Sequence, residues 1–368
     1  MKIPYLNLTA QYQSIKSEID GAIQKVIESS TFALGPSVSE FESAFAEYCH
    51  TEYCIGVNSG SNALLLALKA LDVGPGDEVI TAANSFIASA AAIVHAGAKP
   101  ALVDVDPDSR NMDPKLLPLA LSRKTKAIIP VHLYGRMADM DSILQIARKH
   151  DVAVLEDAAQ AHGAQYRGKP AGSIGRAAAF SFYPAKNLGA FGEAGAIVTN
   201  DPAVDRQIRM LRDHGSISKY SHELVGYNAR MDGIQGAVLR VKLKHLDEWN
   251  NARIRVAGWY QELLQNLPLR LPSVDDDYQQ VFHLYVIETE KRDKLQQYLT
   301  EHGAPTLIHY PIPIHLQKAF EYLGYQHGDF PVTERLSREI LSLPIYPELS
   351  QSQVEYICDR IRCFFDGR

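Results

Sequence analysis

Phe180-Ser181-Phe182-Tyr183-Pro184-Ala185-Lys186-Asn187-Leu188-Gly189 is the stretch on which the reading of this chain rests. It sets a lysine just past an apolar run that reads as a buried strand, in a loop rich in glycine and small residues. The strand before it points into the protein, so Lys186 is poorly placed as a solvated surface charge. It is well placed to have its amine desolvated, which favours the neutral, nucleophilic form. Purely structural buried lysines are uncommon, so the functional reading leads even before other residues are added.

Outward from this stretch, residues 50–200 alternate short β-rich runs with helical runs. Strands are predicted at 53–57, 78–82, 101–105, 126–133, 152–155, 177–182 and 196–199, with helices at 62–71, 87–95 and 140–150. Several strands are apolar throughout rather than alternating, the mark of burial on both faces by helices. The sum is a mostly parallel α/β sheet. Beyond the loop at 215–230 the character changes. Residues 232–267 read as one long helical pattern bent near Gly258 and ended by Pro268 and Pro272. A strand at 281–288 follows, then helices at 293–302, 333–342 and 352–365, with a proline-punctuated stretch at 305–313. The division predicted is a large α/β domain over 1–245 and a smaller α+β domain over 246–368.

The bulk properties bound the function. The chain has 368 residues, 46% hydrophobic and 22% charged, as in ordinary globular enzymes. A net charge of -6, with no Lys/Arg-rich run interleaved with aromatics, argues against nucleic acid as a partner. The amino terminus lacks a charged segment followed by an apolar core, and no apolar stretch has the length of a membrane span. Four cysteines in a chain this long form no disulfide framework, and neither close pair has C-x-x-C spacing. Free thiols in a reducing cytoplasm, with no metal site, are the expectation.

In an α/β sheet, ligands collect beyond the carboxyl ends of the strands. Three features fall there. Asn58-Ser59-Gly60-Ser61-Asn62 follows a strand and opens a helix; Gly60 permits close approach, and the free N–H groups suit a phosphate. It is neither G-x-G-x-x-G nor a Walker A loop, and Ser61 or Asn62 serves equally well as a helix cap. Glu156-Asp157-Ala158-Ala159-Gln160 ends a strand in two carboxylates. A buried acid there needs a partner, either a cofactor cation or an arginine elsewhere in the fold. Lys186, with Ser181 before it, is the third. Together they fit pyridoxal phosphate, which needs a lysine for its Schiff base, a carboxylate to keep its pyridine nitrogen protonated, and donors for its phosphate. A nicotinamide reading fails because Tyr183 and Lys186 have Tyr-x-x-Lys rather than Tyr-x-x-x-Lys spacing, and Gly189, Gly192 and Gly195 miss the dinucleotide fingerprint.

On these motifs the chain, over essentially its whole length, resembles the DegT/DnrJ/EryC1/StrS sugar aminotransferases, fold-type I pyridoxal-phosphate enzymes of the aspartate aminotransferase kind. The resemblance implies Lys186 as the Schiff-base lysine, Asp157 as partner of the pyridine nitrogen and Gln160 as partner of the cofactor's 3-hydroxyl. It implies Phe86 as the aromatic stacked on the ring, and Gly60, Ser61 and Ser181 as holders of the phosphate. Asn228 would reach the phosphate in the neighbouring subunit, so each site would need a homodimer. Ser-Phe-Tyr-Pro-x-Lys-Asn-Leu-Gly resembles the members that act on nucleotide-linked 3-keto-6-deoxy sugars. Tyr183, Lys219, His309 and Tyr310 are then the implied sugar or pyrophosphate contacts, although Lys219 reads equally well as a solvated surface charge and Phe86, taken alone, as a core aromatic. The family's usual Gly-Asp-Gly-Gly stands here as Gly192-Glu193-Ala194-Gly195, and Ser61 replaces a common threonine. The expected activity is transfer of the amino group of L-glutamate, through pyridoxamine phosphate, to C3 of a dTDP-linked 3-keto-6-deoxyhexose in the cytoplasm. The alternatives are a UDP-linked 3-keto sugar, a 4-keto sugar, a keto-cyclitol, or a non-catalytic regulatory member.

Overall fold

The computed structural model describes residues 1–367. Three helices, α1 (Leu8–Ser14), α2 (Lys16–Ser29) and α3 (Pro36–Tyr48), lead into a seven-stranded sheet. Its strands are β1 (Tyr53–Val57), β2 (Glu78–Ala82), β3 (Lys99–Val103), β4 (Thr125–Ile129), β5 (Ala153–Asp157), β6 (Ala177–Ser181) and β7 (Gly195–Thr199). They lie in the order β1-β7-β6-β5-β4-β2-β3, and β7 alone runs antiparallel to its neighbours. The mostly parallel sheet is as the sequence predicts. The edge strand β3 begins two residues earlier than expected.

The apolar strands have two buried faces because side chains alternate along each strand. Cys54, Ile80, Ile128, Val154, Phe180 and Val198 join one core, on the side of α3 with its Phe41 and Phe45. Their neighbours Ile55, Val79, Ile129, Leu155, Ala179 and Ile197 join the other, which holds the leucines of α4 (Gly60–Ala70). At the end of β5 the same alternation separates two adjacent acids. Glu156 is fully buried. It accepts hydrogen bonds from His132 Nε2 at 2.8 Å and from the N–H groups of Gly172, Ile174 and Gly175 at 2.9, 2.9 and 2.6 Å. His132 Nδ1 accepts from the Ala138 N–H, which fixes the proton on Nε2. Burial pushes the Glu156 carboxyl up, but its donors outweigh that and hold it below the ordinary carboxylate range. Asp157 faces the other way, into the cavity described below.

Downstream, three expectations are corrected. The pattern at 232–267 is two helices, Gly233–Leu243 and Leu246–Leu264, broken at Lys244 and His245 rather than bent at Gly258. The first packs on α2 and α3 and the second on the last helix, Gln351–Asp366, so one straight rod could not serve both. Gly258 lies inside the second helix with open space beside its Cα, and nothing there forces a kink. The strand expected over 281–288 is confined to Tyr285–Glu288, because the Val281 N–H is drawn to the Gly135 carbonyl at 3.0 Å. The helix expected over 333–342 stops at Glu339, and Ile340–Leu343 pairs antiparallel with Tyr285–Glu288 instead. These two strands, the helices Leu246–Leu264, Arg292–Glu301 and Gln351–Asp366, and Ile3 from the amino terminus share a separate apolar cluster. The boundary predicted at 245/246 falls where Leu246–Leu264 begins.

A polar seam ties this part to the sheet. Arg110 Nε meets Glu288 Oε1 at 2.8 Å, and its Nη1 donates to the Val286 carbonyl at 2.6 Å. Arg335 meets the second Glu288 oxygen at 2.7 Å. Asp104 accepts from the N–H groups of Val332 and Thr333 at the start of helix Pro331–Glu339. Gly135 has φ 95, and a Cβ there would sit 2.8 Å from the His283 nitrogen, so backbone meets backbone at this point. No helix among the described residues is long and apolar enough to cross a membrane.

Removing the Glu156 carboxylate strands His132 and three backbone donors inside the protein. Glu156→Ala is expected to destabilise the fold by about 3–5 kcal/mol, read from denaturant unfolding, and Glu156→Gln by less.

Candidate active site

The cavity opens at the carboxyl ends of the parallel strands and has a volume of about 420 Å³. Residues following β1, β2, β4, β5 and β6 all contribute to its wall, as the crossover topology of a parallel sheet requires. At its inner end is Asp157, 5% exposed, whose Oδ2 accepts from Ser89 Oγ at 2.7 Å and whose Oδ1 accepts from the Ala159 N–H at 3.2 Å. Ser85 Oγ backs Ser89 at 2.8 Å. No salt bridge reaches Asp157 among the described residues, which answers the choice the sequence left open: no arginine neutralises it. Burial pushes its carboxyl up, opposed by Ser89, Ala159 and the charge of Lys186.

Lys186 lines the same cavity. Its backbone N–H donates to the Tyr183 carbonyl at 2.8 Å, and the loop closes where the Ala190 N–H meets the Phe182 carbonyl at 2.7 Å. Burial lowers the amine to about 8, with Asp157 opposing. The desolvation expected from its place after β6 is present.

The anion end is built on α4. Its cap is Ser59, whose Oγ accepts from the Asn62 N–H at 3.1 Å, and not Ser61 or Asn62. Ser61 is therefore left exposed in the cavity wall, with its hydroxyl free of hydrogen bonds among the described residues. The N–H groups of the first helical turn, Gly60 and Ser61 among them, have no intrahelical acceptor. A Cβ on Gly60 would lie 2.6 Å from Ser181 Cβ, and one on Gly195 would lie 2.4 Å from the Ser59 carbonyl carbon. The end of β6 and the start of β7 thus close on the helix terminus. Hydroxyls, free N–H groups and a helix dipole at one end, and a buried carboxylate without a salt bridge together with a low-pKa amine at the other, are the donor set that pyridoxal phosphate requires.

Of the other predicted residues, Gln160, Phe86, Tyr183, His309 and Tyr310 also line the cavity. Gln160 Oε1 accepts from the Tyr134 N–H at 2.7 Å and its Nε2 donates to Tyr310 Oη at 3.2 Å, so its amide orientation is fixed. The Phe86 ring is half-exposed and tilts on Tyr310 at 5.3 Å between centroids; it is no core aromatic. His309 Nδ1 bonds Ser342 Oγ at 2.8 Å, and burial together with Lys186 lowers its ring to about 4, which keeps it neutral. Asn228 and Lys219 are not brought to this cavity. Asn228 is exposed beside Arg230, which donates to its Oδ1 at 2.9 Å. Lys219 is exposed, its amine over the Tyr220 ring at 5.3 Å. Sequence reasoning passed over Ser85, Ser89, His283 and Glu193, all in the wall. The i, i+4 spacing of Ser85 and Ser89 at a helix start was a usable signal; His283 follows an irregular segment and gave none.

Comparison with known proteins agrees with this geometry. The DegT/DnrJ/EryC1/StrS aminotransferase family matches residues 13–362. The chain is 46% identical to the dTDP-3-amino-3,4,6-trideoxy-alpha-D-glucose transaminase of Streptomyces venezuelae, covering 98% of this chain and 96% of that one. It is 47% identical to a protein of Geobacillus stearothermophilus named pleiotropic regulatory protein, over 99% of each chain. The crystal structure of S. venezuelae DesV in complex with a ketimine intermediate superposes with a TM-score of 0.97 at 46% identity, covering 99% of both chains.

The amine of Lys186 should titrate well below an ordinary lysine. In cofactor-free protein its acylation, followed by mass spectrometry of the labelled peptide across pH 6–10, is expected to rise with a midpoint near 8. A solvated lysine would give a midpoint of about 10.4.

Proposed function

We infer, because this chain belongs to the DegT/DnrJ/EryC1/StrS aminotransferase family, that it is a pyridoxal-phosphate enzyme moving the amino group of L-glutamate to a nucleotide-linked keto sugar. The acceptor is C3 of a dTDP-linked 3-keto-6-deoxyhexose. The observation that carries the reading is the pairing, in one cavity, of a buried carboxylate that forms no salt bridge among the described residues and a desolvated lysine whose charge it feels. The name of the Streptomyces venezuelae relative, a dTDP-linked 3-amino sugar transaminase, supports the choice of nucleotide and carbon.

Bound pyridoxal phosphate supplies an electron sink for the charge left when a Cα proton departs. Everything else is work for the chain's own side chains. Lys186 Nζ would anchor the cofactor, and an amine that burial already holds below the ordinary lysine range is suited to take up and give back the Cα proton near neutral pH. Asp157, its carboxylate oriented by Ser89 and the Ala159 N–H, would keep the pyridine nitrogen protonated. Ser61, Ser181 and the N–H groups at Gly60 and Ser61 would hold the phosphate. Phe86 would cover the ring and Gln160 would take the 3-hydroxyl. Tyr183, neutral His309 and Tyr310 are the sugar contacts in the wall.

The working unit is a homodimer in the cytoplasm. Asn228 lies outside its own chain's cavity, in accord with service to the neighbour's phosphate, and Lys219 would approach the pyrophosphate. A regulatory role is favoured by one relative's name, but Lys186, Asp157 and Gln160 are all intact, which a silent scaffold would not require.

The purified holoenzyme is expected to be yellow, to bleach with L-glutamate and to recover its colour with dTDP-3-keto-6-deoxyhexose. Both 3-keto epimers, a UDP-linked 3-keto sugar and a 4-keto sugar, run side by side, test the acceptor. Lys186→Ala should lose turnover entirely. Mixing Lys186→Ala with Asn228→Ala protein should restore activity to about a quarter of wild type, since half the dimers would carry one intact shared site. If neither order of mixing restores activity, each site belongs to one chain.

A further inference from the structure

We propose that Lys242 is a positioning residue for Lys186, holding the loop that presents it; the proposal rests on the reading of Lys186 as the cofactor-bearing lysine. Lys242 sits near the end of helix Gly233–Leu243 and is 1% exposed. Its Nζ donates to the Gly189 carbonyl at 2.5 Å, three residues after Lys186. No carboxylate forms a salt bridge with it among the described residues. The rings of Phe191 and Trp249 flank the amine at 5.5 and 5.8 Å from their centroids.

An ammonium buried without a bonded counter-ion is expensive, and an apolar side chain in that place would be cheaper. Glu348 acts on the Lys242 amine only through charge and the two rings only weakly; the one hydrogen bond it makes is to an acceptor in the Lys186 loop. The loop is built to transmit the hold. A Cβ at Gly189 would stand 2.3 Å from the Pro184 carbonyl oxygen, so the two limbs of the turn are in contact across Lys186. Three neutral hydrogen bonds pull the same way. Gln235 Oε1 accepts from the Phe191 N–H at 2.8 Å, and Asn187 Nδ2 donates to Asn250 Oδ1 at 2.8 Å and to the Val281 carbonyl at 3.0 Å. The loop therefore hangs from two helices and the segment at 281–283, and among the described residues Lys242 is its one charged attachment. A shift of about 1 Å in a reacting group can cost a hundredfold in rate.

The test uses holoenzyme of Lys242→Met, which keeps the length and loses the donor, and Lys242→Gln, which keeps an N–H. The readouts are kcat, the KM for L-glutamate and the pH titration of the visible absorption band of the lysine–cofactor linkage. Lys242→Met should fold, lower kcat about tenfold or more, leave KM within about twofold, and shift the titration midpoint, with Lys242→Gln lying between it and wild type. The proposal is overturned if Lys242→Met titrates and turns over like wild type, or if Lys242→Gln is no better than Lys242→Met. It is also overturned if circular dichroism finds both variants unfolded, since the lysine is then a general support of the fold. A failure of the underlying reading looks different: the visible band would then survive Lys186→Ala.

Discussion

Two carboxylates stand side by side at the end of a buried strand, and the pleat sends them to opposite faces. One of them, Glu156, is saturated by a histidine and three backbone donors and anchors the turn that follows. The other, Asp157, receives one hydroxyl and one N–H and, among the described residues, no salt bridge, with only the charge of Lys186 acting on it across the cavity. A buried carboxylate left in that condition costs several kcal/mol, a cost that a positively charged ligand removes. The cavity is thus electrostatically incomplete in a defined direction. The lysine opposite feels the same lack of water and sheds its proton more readily. Anchor, acid partner and anion cradle follow from where parallel strands end.

Much of this was legible in the chain. The strands of the large sheet are apolar on both faces, a pattern that tertiary context has no reason to overrule, and Lys186, Asp157 and Gln160 could be read from their position just after strand ends. What escaped depended on contacts remote in sequence. The run at 232–267 keeps its helical pattern through Lys244 and His245, and only the need to pack on two different layers breaks it there. Residues 281–284 look as β-like as the strand they precede, but the Gly135 carbonyl competes for the Val281 N–H. Ile340–Leu343 continues a helical spacing and is taken by a partner strand. In the site, the cap was read as Ser61 or Asn62 because local rules leave all three polar residues eligible; the approach of Ser181 and Gly195 selects Ser59. His283 could not be seen, since its place in the wall follows from irregular backbone, and Glu193 stood out only as a departure from the family's Gly-Asp-Gly-Gly, with nothing local to put it in the wall.

The family likeness and the physical reading meet at different depths. Similarity over nearly the full chain assigns the reaction class. The side-chain geometry explains why the class suits this cavity, and why a relative carrying a regulatory name need not imply loss of chemistry. A sequence that had abandoned catalysis would have no reason to keep an unneutralised buried acid facing a desolvated amine.

The seam between the sheet and the carboxyl-terminal strands has a mechanical consequence. Arg110 is locked between Glu288 and the Val286 carbonyl, Asp104 clamps the start of a helix from the other part, and at Gly135 the two backbones touch. Such a joint resists both shear and hinge rotation, since either would strand buried charge or force backbone atoms together. Closing the pocket by moving one part against the other would first have to break these contacts, so the seam shifts the weight of selectivity from hinge motion toward the side chains of the wall.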